Sequence, residues 1–588
     1  MKYSDQLADW LVELGYTHCF FLAGGNIMHL LESCSRKFVC IPVVHEVAAG
    51  IASEYFNEIT DGGRAFALVT AGPGLTNIVT AIAGAYLESH ELLVIGGQAK
   101  VSDLARGEVR QRGIQEINGA DIVRPITMTS TLLTDVVKGR EFAKLAQSGS
   151  AGRKGPVFIE IPLDLQARNV APAPLNQAAP ESLGAVPCVE QSVLDAISAR
   201  LVTAKRPMFL LGGGVARSTA SELQDSLTKL GVPLMTTWNG ADRIPSAHPL
   251  YFGRPNTWGQ RSSNILLQQS DLVIALGTRL GLQQTGFNWQ EFVPVGDVVQ
   301  VDCDPAELSK GHPKVSFPVC GDANAVLRHL AAFTPGDYGE WVDFCRFVRQ
   351  AIPLVEDVNA TAESYISPYR FAQELSHLCT EQDVVIPCSS GSAFTVMMQT
   401  FEQKKGQKMV TTKGLASMGY GLGGAIGSAI ASGNKRTILV EGDGGFMQNL
   451  QELGTVSANH VNLKIFLFDD NGYASIRMTQ ANYFNGRYVG CDLSTGLGIP
   501  NWNHIFAAYG IPVMQISNGY QEDEEFLKHF ASNGPAAFLV KIDPGQTYFP
   551  KITSQIAAGG GMVSNPLHRM SPDLSPELTA KVFRYLSI

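Results

Sequence analysis

The sequence predicts an α/β protein built from three consecutive, mostly parallel-sheet domains. Short apolar runs alternate with helical patterns, and each run stops at Gly, Pro or a polar residue. That is how buried parallel strands joined by crossover helices read. The chain has 588 residues, more than one core comfortably serves. The segment NVAPAPLNQAAPESLGAVP, 169–187, is rich in Pro and Ala, lacks a long periodic face, and reads as a linker.

The first domain is expected over 1–170. MKYSDQLADWLVELGY is an amphipathic helix rather than a secretory leader. THCFFLAGG, RAFALVTAGPG, ELLVIGGQ and GPVFIEIPLD supply strands, and CIPVVHEVAAGIASEYF starts as a strand and continues as a helix. A central domain is expected over 188–345, with strands in RPMFLLGG, VPLMTT, DLVIALGT and VVQVDCD. The third, 360–555, opens with a helix at PYRFAQELSHLC and continues through DVVIPCSS, RTILVEGD, NLKIFLFDD and AAFLVKID. The tail, 556–588, reads either as a flexible cover or as a packed terminus.

Hydrophobic residues at 45% against 17% charged ones suit a large, well-buried soluble protein. The net charge of -9, with no block of Lys and Arg, sets nucleic acid aside. The ten cysteines show no CxxC, and Cys19, Cys34 and Cys40 sit in apolar surroundings. Reduced thiols in a cytoplasmic protein are expected. LLVIGG and MFLLGGG are too short to cross a bilayer.

The chemistry concentrates in the third domain. ILVEGDGGF ends a strand, so Asp443 projects from the carboxyl end of a parallel sheet, where ligands bind. Gly442 and Gly444 let the backbone approach a ligand, and Gln448 to Thr455 look helical. KIFLFDDNGYASI then delivers Asp469, Asp470 and Asn471. Asp470 follows Asp443 by 27 residues, one strand–helix–strand interval. Both acids should reach the same sheet end. Two carboxylates with carbonyl, water and phosphate oxygens make an octahedral Mg²⁺ site. Asp469 is expected to face the other way.

GDG followed by DDNG resembles the cofactor signature of thiamin diphosphate enzymes, in the superfamily of acetolactate synthase and pyruvate decarboxylase. The resemblance spans roughly 1–555. It implies that Asp443, Asp470 and the Gly472 carbonyl ligate Mg²⁺. Here the usual Asn-Asn pair is Asp469–Asp470. It implies diphosphate contacts from Gly442, Gly444, Gly445, Gly391 and Ser392. TTKGLASMGYGLGGAIG, 411–427, resembles the aminopyrimidine segment. There the Ala416 carbonyl would bind the 4′-amino group, and Met418 would be the wedge that bends the cofactor. Glu46 would hydrogen-bond N1′ and favour loss of the C2 proton. VTAGPGLTNIVTAIAGAY, 69–86, resembles an interfacial segment, and IQE, 114–116, makes Gln115 a candidate substrate or cofactor contact. Glu46 and the metal site come from different subunits in this family. The resemblance therefore implies an obligate homo-oligomer, dimer or tetramer, with sites at the subunit interface.

LGGG, VPLMTT, GTRLGLQQTG, VVQVDCDPAELSK and VCGDANAV resemble the flavin domain of acetolactate synthases. FAD contacts would be Gly213, Thr236, Gly277, Arg279, Asp302 and Asp322. The donor is expected to be pyruvate. Residues 105–116 lack the His-His pair of simple decarboxylases, which favours capture by a carbonyl acceptor over release of acetaldehyde. Asn26, His29, Gln115, Ile476 and Arg477 are candidate substrate contacts. The segment 472–502 lacks the Val-Gln-Trp environment of ordinary acetolactate synthases. It resembles yersiniose-pathway carboligases, which implies a ketone or nucleotide-linked ketosugar acceptor. Acetolactate synthesis from two pyruvates, another 2-keto-acid decarboxylase or lyase reaction, and a cofactor-less regulatory subunit are the alternatives.

Overall fold

The apolar runs form strands because each is short, rich in β-branched and aromatic residues, and closed by a residue that turns the chain. The computed structural model describes residues 1–176, 186–334, 336–556 and 560–586. Most of the expected linker, 177–185, lies outside the described residues.

Three all-parallel sheets result. The first contains β1 (Tyr16–Phe21), β2 (Val39–Pro42), β3 (Arg64–Val69), β4 (Leu92–Gln98), β5 (Thr129–Leu132) and β6 (Pro156–Pro162), in the order β2-β1-β3-β4-β6-β5. The second contains β7 (Pro207–Leu211), β8 (Leu234–Thr236), β9 (Leu272–Leu276), β10 (Asp297–Asp302) and β11 (Phe317–Cys320), in the order β11-β10-β9-β7-β8. The third contains β12 (Val384–Ile386), β13 (Lys408–Met409), β14 (Thr437–Gly442), β15 (Leu463–Asp469), β16 (Val513–Ile516) and β17 (Ala536–Lys541), in the order β13-β12-β14-β15-β17-β16. The first and third sheets thus share one winding order. Sequence patterns missed β5, β11, β13 and β16, and all four are edge strands. Edges are half-exposed, as the uniformly intermediate burial of β5 shows, so they carry no continuous apolar run.

The first and third domains share one core, which joins the helices Glu46–Ile59, Pro73–Glu88 and Tyr420–Ala431. Close approach requires glycine. A Cβ at Gly427 would lie 2.1 Å from the Ala52 carbonyl oxygen, and one at Gly424 2.6 Å from the Tyr55 ring. Arg217 links all three domains, through Asp242 at 2.6 Å, the Glu58 carbonyl at 2.6 Å and the Met409 carbonyl at 3.2 Å. The described part of the tail, from 567 to 586, packs on the central domain. Arg261 donates to the Met570 and Pro572 carbonyls, and Leu567, Val582, Phe583 and Leu586 enter the central domain's core. Among the described residues no helix is long and apolar enough to cross a membrane.

A buried polar cluster lies in the shared core. The Tyr420 hydroxyl donates to Glu54 at 2.5 Å, and His90 meets Glu54 at 2.8 Å and Glu58 at 3.9 Å. Burial alone would lower the His90 pKa. Glu58, Glu54 and Glu88 outweigh burial and raise it from 6.5 to about 9. A raised histidine stabilises the fold in its protonated form, fully below about 6.5, and the contribution fades as pH rises through about 9. Denaturant midpoints of the wild type and His90→Gln should therefore differ most at pH 6. The gap should shrink by up to about 3 kcal/mol by pH 9.5. A gap independent of pH would contradict this assignment.

Candidate active site

The register of β14 on β15 pairs Gly442 with Phe468, so the next residues, Asp443 and Asp469–Asp470, leave the sheet side by side. Both expected metal ligands are buried. Asp443 takes the Gly444 N–H at 2.6 Å and the Gly472 N–H at 3.1 Å, which closes one loop on the other. Burial, then the charges of Asp470 and Asp469, push the Asp443 carboxyl well above its ordinary range. Burial also raises Asp470, against the opposing charge of Arg477. Among the described residues no group of three His, Cys, Asp or Glu could hold a metal. A cation here would take two carboxylates and complete its shell with carbonyl, phosphate and water oxygens. Asp469 is only partly buried and lies in register with Lys541, and its charge still reaches Asp443 and Asp470.

The helix after the GDG triplet starts earlier than expected. Extended Gly442 caps a single turn, Asp443–Phe446, and a further helix runs over Leu453–Ala458. The glycines divide their work. Gly442 has open space where a Cβ would stand, as a ligand approach requires. A Cβ at Gly444 would lie 2.2 Å from the Tyr473 ring, and one at Gly445 would lie 3.0 Å from Glu441. Gly391, with φ +80, also faces open space. Gly391, Ser392 and Ala416 line one cavity of about 230 Å³ with Trp238, Trp258 and Lys413. Ala416 holds the unusual φ of +54, and Met418 is 38% exposed. Buried carboxylates in excess of cationic charge, open glycine backbone at two strand ends and an exposed apolar side chain suit a magnesium-bound diphosphate cofactor.

The first domain gathers its candidates at the carboxyl end of its own sheet. Glu46 is the first residue of its helix, capped by His45, and is 5% exposed. Its Oε2 accepts from Asn77 at 2.9 Å. The junction before it is held by the third domain, because Val44 and His45 N–H groups donate to Glu452 at 2.9–3.2 Å. Gln115 is exposed at φ +60, and a Cβ at Gly72 would lie 2.4 Å from its carbonyl. Glu116 points inward and accepts the N–H groups of Ala105, Arg112 and Gly113 at 2.5–3.0 Å. The Asn26 carbonyl accepts from Gln166 at 2.7 Å, and His29 is half-buried on the following helix. No first-domain residue lines the cavity beside Ala416 in the same chain.

The two expected substrate contacts of the third domain differ in burial. Arg477 is buried and donates to the Asp470 carboxylate and carbonyl, both at 2.8 Å, so its charge serves the acidic corner. Ile476 is 44% exposed and does not line the cavity. The flavin candidates collect at the carboxyl end of the second sheet. Gly213 and Gly277 follow β7 and β9, where the winding order reverses. A backbone bond of 3.0 Å joins Gly214 to Gly277. Thr236 is fully buried against the Tyr251 hydroxyl, Asp302 accepts from the Asp304 N–H, and Asp322 caps a helix. The Arg279 guanidinium turns away toward Gly414 of the third domain.

Sequence reasoning missed Glu116, Glu452 and Lys413. IQE pointed at Gln115, while its third residue builds the loop. Glu452 acts on residues more than 400 positions away, beyond any local pattern.

Three family models match the chain in order. They are the thiamine pyrophosphate enzyme N-terminal TPP-binding domain over 1–122, the central domain over 194–330, and the C-terminal TPP-binding domain over 389–540. Among curated relatives, acetolactate synthase isozyme 1 large subunit of Escherichia coli is 29% identical over 540 residues, covering 90% of this chain and 92% of the relative. An acetolactate synthase of Mycobacterium bovis is 30% identical over 499 residues, covering 82% and 78%. A probable acetolactate synthase large subunit of Methanocaldococcus jannaschii is 28% identical over 568 residues, covering 93% of each.

The Glu116 arrangement yields a direct test. Glu116→Ala strands three N–H groups under a loop that carries Arg106, Arg110 and Arg112. Trypsin should cut at Arg110 or Arg112 at least about five-fold faster, with far-ultraviolet dichroism unchanged. Unaltered cleavage would show that the carboxylate does not order the loop.

Proposed function

Since the chain belongs to the thiamine pyrophosphate enzyme family and is a thiamin-diphosphate-dependent carboligase or decarboxylase, we propose that it decarboxylates pyruvate and transfers the remaining two-carbon unit to a carbonyl acceptor. When bound, thiamin diphosphate supplies a nucleophilic carbon and an electron sink for loss of CO₂. The chain's own residues do the rest. Asp443, Asp470 and the Gly472 carbonyl would hold Mg²⁺, and the backbone at Gly391, Gly442, Gly444 and Gly445, with Ser392, would receive the diphosphate. The Ala416 carbonyl would accept from the cofactor's amino group, and Met418 would support the ring system. Glu46 would hold a proton at a ring nitrogen of the cofactor, and Asn77 fixes that carboxylate. The paired burial of Asp443 and Asp470 is the observation that carries this reading.

Glu46 serves a neighbouring copy in this proposal. The cavity beside Ala416 takes no first-domain residue of its own chain, and Ile114 is left 84% exposed beside Gln115. Met418, Phe484 and Val489 are exposed on the third domain. Apolar side chains of this kind beside both halves suit a subunit interface.

The relatives favour acetolactate synthesis, with a second pyruvate as acceptor, over the ketone acceptor expected from 472–502. The ketone reading retains one support. The helix Ala474–Phe484 buries only Arg477 and leaves Ile476, Tyr483 and Phe484 outward, which gives a hindered electrophile room. FAD is proposed as a structural ligand at the second sheet's switch point. Exposed Gly213 and the acid Asp302 support it, and the reaction needs no net redox change.

Pyruvate supplied with separate aldehyde, 2-keto-acid and ketone panels should give coupled products identifiable by mass and NMR. Acetaldehyde alone would count against transfer. Glu46→Gln should keep Mg²⁺ and thiamin diphosphate binding while losing at least about 100-fold in turnover. Full turnover would remove Glu46 from its role.

A further inference from the structure

We propose that Cys19 and Cys40 form a peroxide-responsive dithiol, a modification site on the strand that leads to Glu46. The site lies in the first domain, outside the cofactor cavity. The register of β1 on β2 places Cys19 directly beside Cys40. Neighbouring strands lie about 4.8 Å apart, and paired residues point to the same face. The two Cα atoms thus stand at a separation that a disulfide spans, about 4.4–6.8 Å. Cys34, near the end of the helix Met28–Ser35, enters the same core cluster as Cys19, and Cys40 packs against that cluster. Three cysteines therefore meet on one face of the sheet, and all three are free thiols.

They differ in access and in acidity. Cys19 and Cys34 are buried, while Cys40 is half-buried on an edge strand. A hydrogen bond from Cys19 lowers the Cys40 pKa, against the opposing effect of burial. Burial, then the contacts with Cys34 and Cys40, pushes the Cys19 thiol well up. The shared proton therefore stays on Cys19, and Cys40 carries the thiolate character. A partly exposed sulfur of that kind is the one peroxide oxidises, and a buried thiol beside it resolves the product.

The Cys40 thiolate attacks one oxygen of hydrogen peroxide. The O–O bond breaks, and the departing hydroxide takes a proton and leaves as water. Cys40 is then a sulfenic acid. The Cys19 sulfur attacks the Cys40 sulfur, the S–O bond breaks, an S–S bond forms, and the hydroxyl leaves as water with the Cys19 proton. Two electrons pass from the two sulfurs to one peroxide. A reducing dithiol reverses the bond by exchange.

The modification bears on the site through the chain itself. Five residues separate Cys40 from Glu46. The Val43 N–H donates to the Phe21 carbonyl at 3.0 Å, and the N–H groups of Val44 and His45 are held by Glu452 of the third domain. Drawing β2 onto β1 at Cys40 therefore strains the junction that presents Glu46 against a fixed tie.

The test uses the full chain in a Cys188→Ser background, which removes an exposed thiol. Hydrogen peroxide is added, catalase removes the excess, free thiols are alkylated, and unreduced peptides are mapped by mass. The wild-type pair should lose about two thiols per chain and yield one peptide pair joined through Cys19 and Cys40, released by dithiothreitol. The pair should vanish in Cys40→Ser and in Cys19→Ala and persist in Cys34→Ser. Absence of the joined peptides, or their persistence in Cys19→Ala, overturns the pairing. Cys40→Ser, at a half-buried edge position, carries the test alone if Cys19→Ala does not fold. The mass map needs no turnover, so its failure is separate from any failure of the proposed activity. In the holoenzyme, pyruvate turnover should fall at least about five-fold in step with the bond and return on reduction, while Cys40→Ser keeps its turnover through the same treatment. A bond formed without loss of turnover, or an equal loss in Cys40→Ser, overturns the link to Glu46.

Discussion

Two carboxylates buried side by side cannot both stay charged without a cation, and the third domain is organised around that constraint. Asp443 and Asp470 meet because β14 and β15 are neighbours, run parallel and end level. Among the described residues Arg477 is the one cation paired with either acid, and it meets only Asp470. The Gly472 N–H ties the second loop to Asp443, and the open side of Gly442 leaves room for what must complete the charge balance. A divalent ion carrying a diphosphate satisfies each of these features together.

The second constraint is the pairing of the outer domains. The first and third sheets share a winding order and pack helix to helix through Gly424 and Gly427. Polar ties then set the register. Glu452 holds the junction that presents Glu46, Glu88 holds the segment that presents Ala416 and Lys413, and Arg217 joins the central domain to both. Glu46 and the segment of Ala416 are therefore each placed by a residue of a different domain. A mutation at such a tie would shift geometry at the site without touching the ligand.

Interior strands were legible in the sequence because burial on both faces demands continuous apolar runs. Four of the six edge strands were not, since Thr129–Leu132 and its counterparts are only partly buried and look like loops. The shared winding order of the outer sheets was also hidden, because it resides in connectivity rather than in a pattern. Within the site, Asp443, Asp470 and Glu46 were legible because each follows a strand end. The pairing of Arg477 with Asp470 was not legible, because its helix has no distinct apolar face, which left its direction open. Lys413 passed unnoticed inside a segment read for its glycines.

The most direct test of the central claim is a comparison of melting temperatures for the wild type and Asp443→Asn, each with and without Mg²⁺ and thiamin diphosphate. If the acidic pair exists to hold the metal, the ligand-free variant melts as high as the wild type or higher, because repulsion is relieved. The rise produced by Mg²⁺ and cofactor in the wild type then disappears from the variant. An equal rise in both proteins would show that the cofactor's metal is held elsewhere.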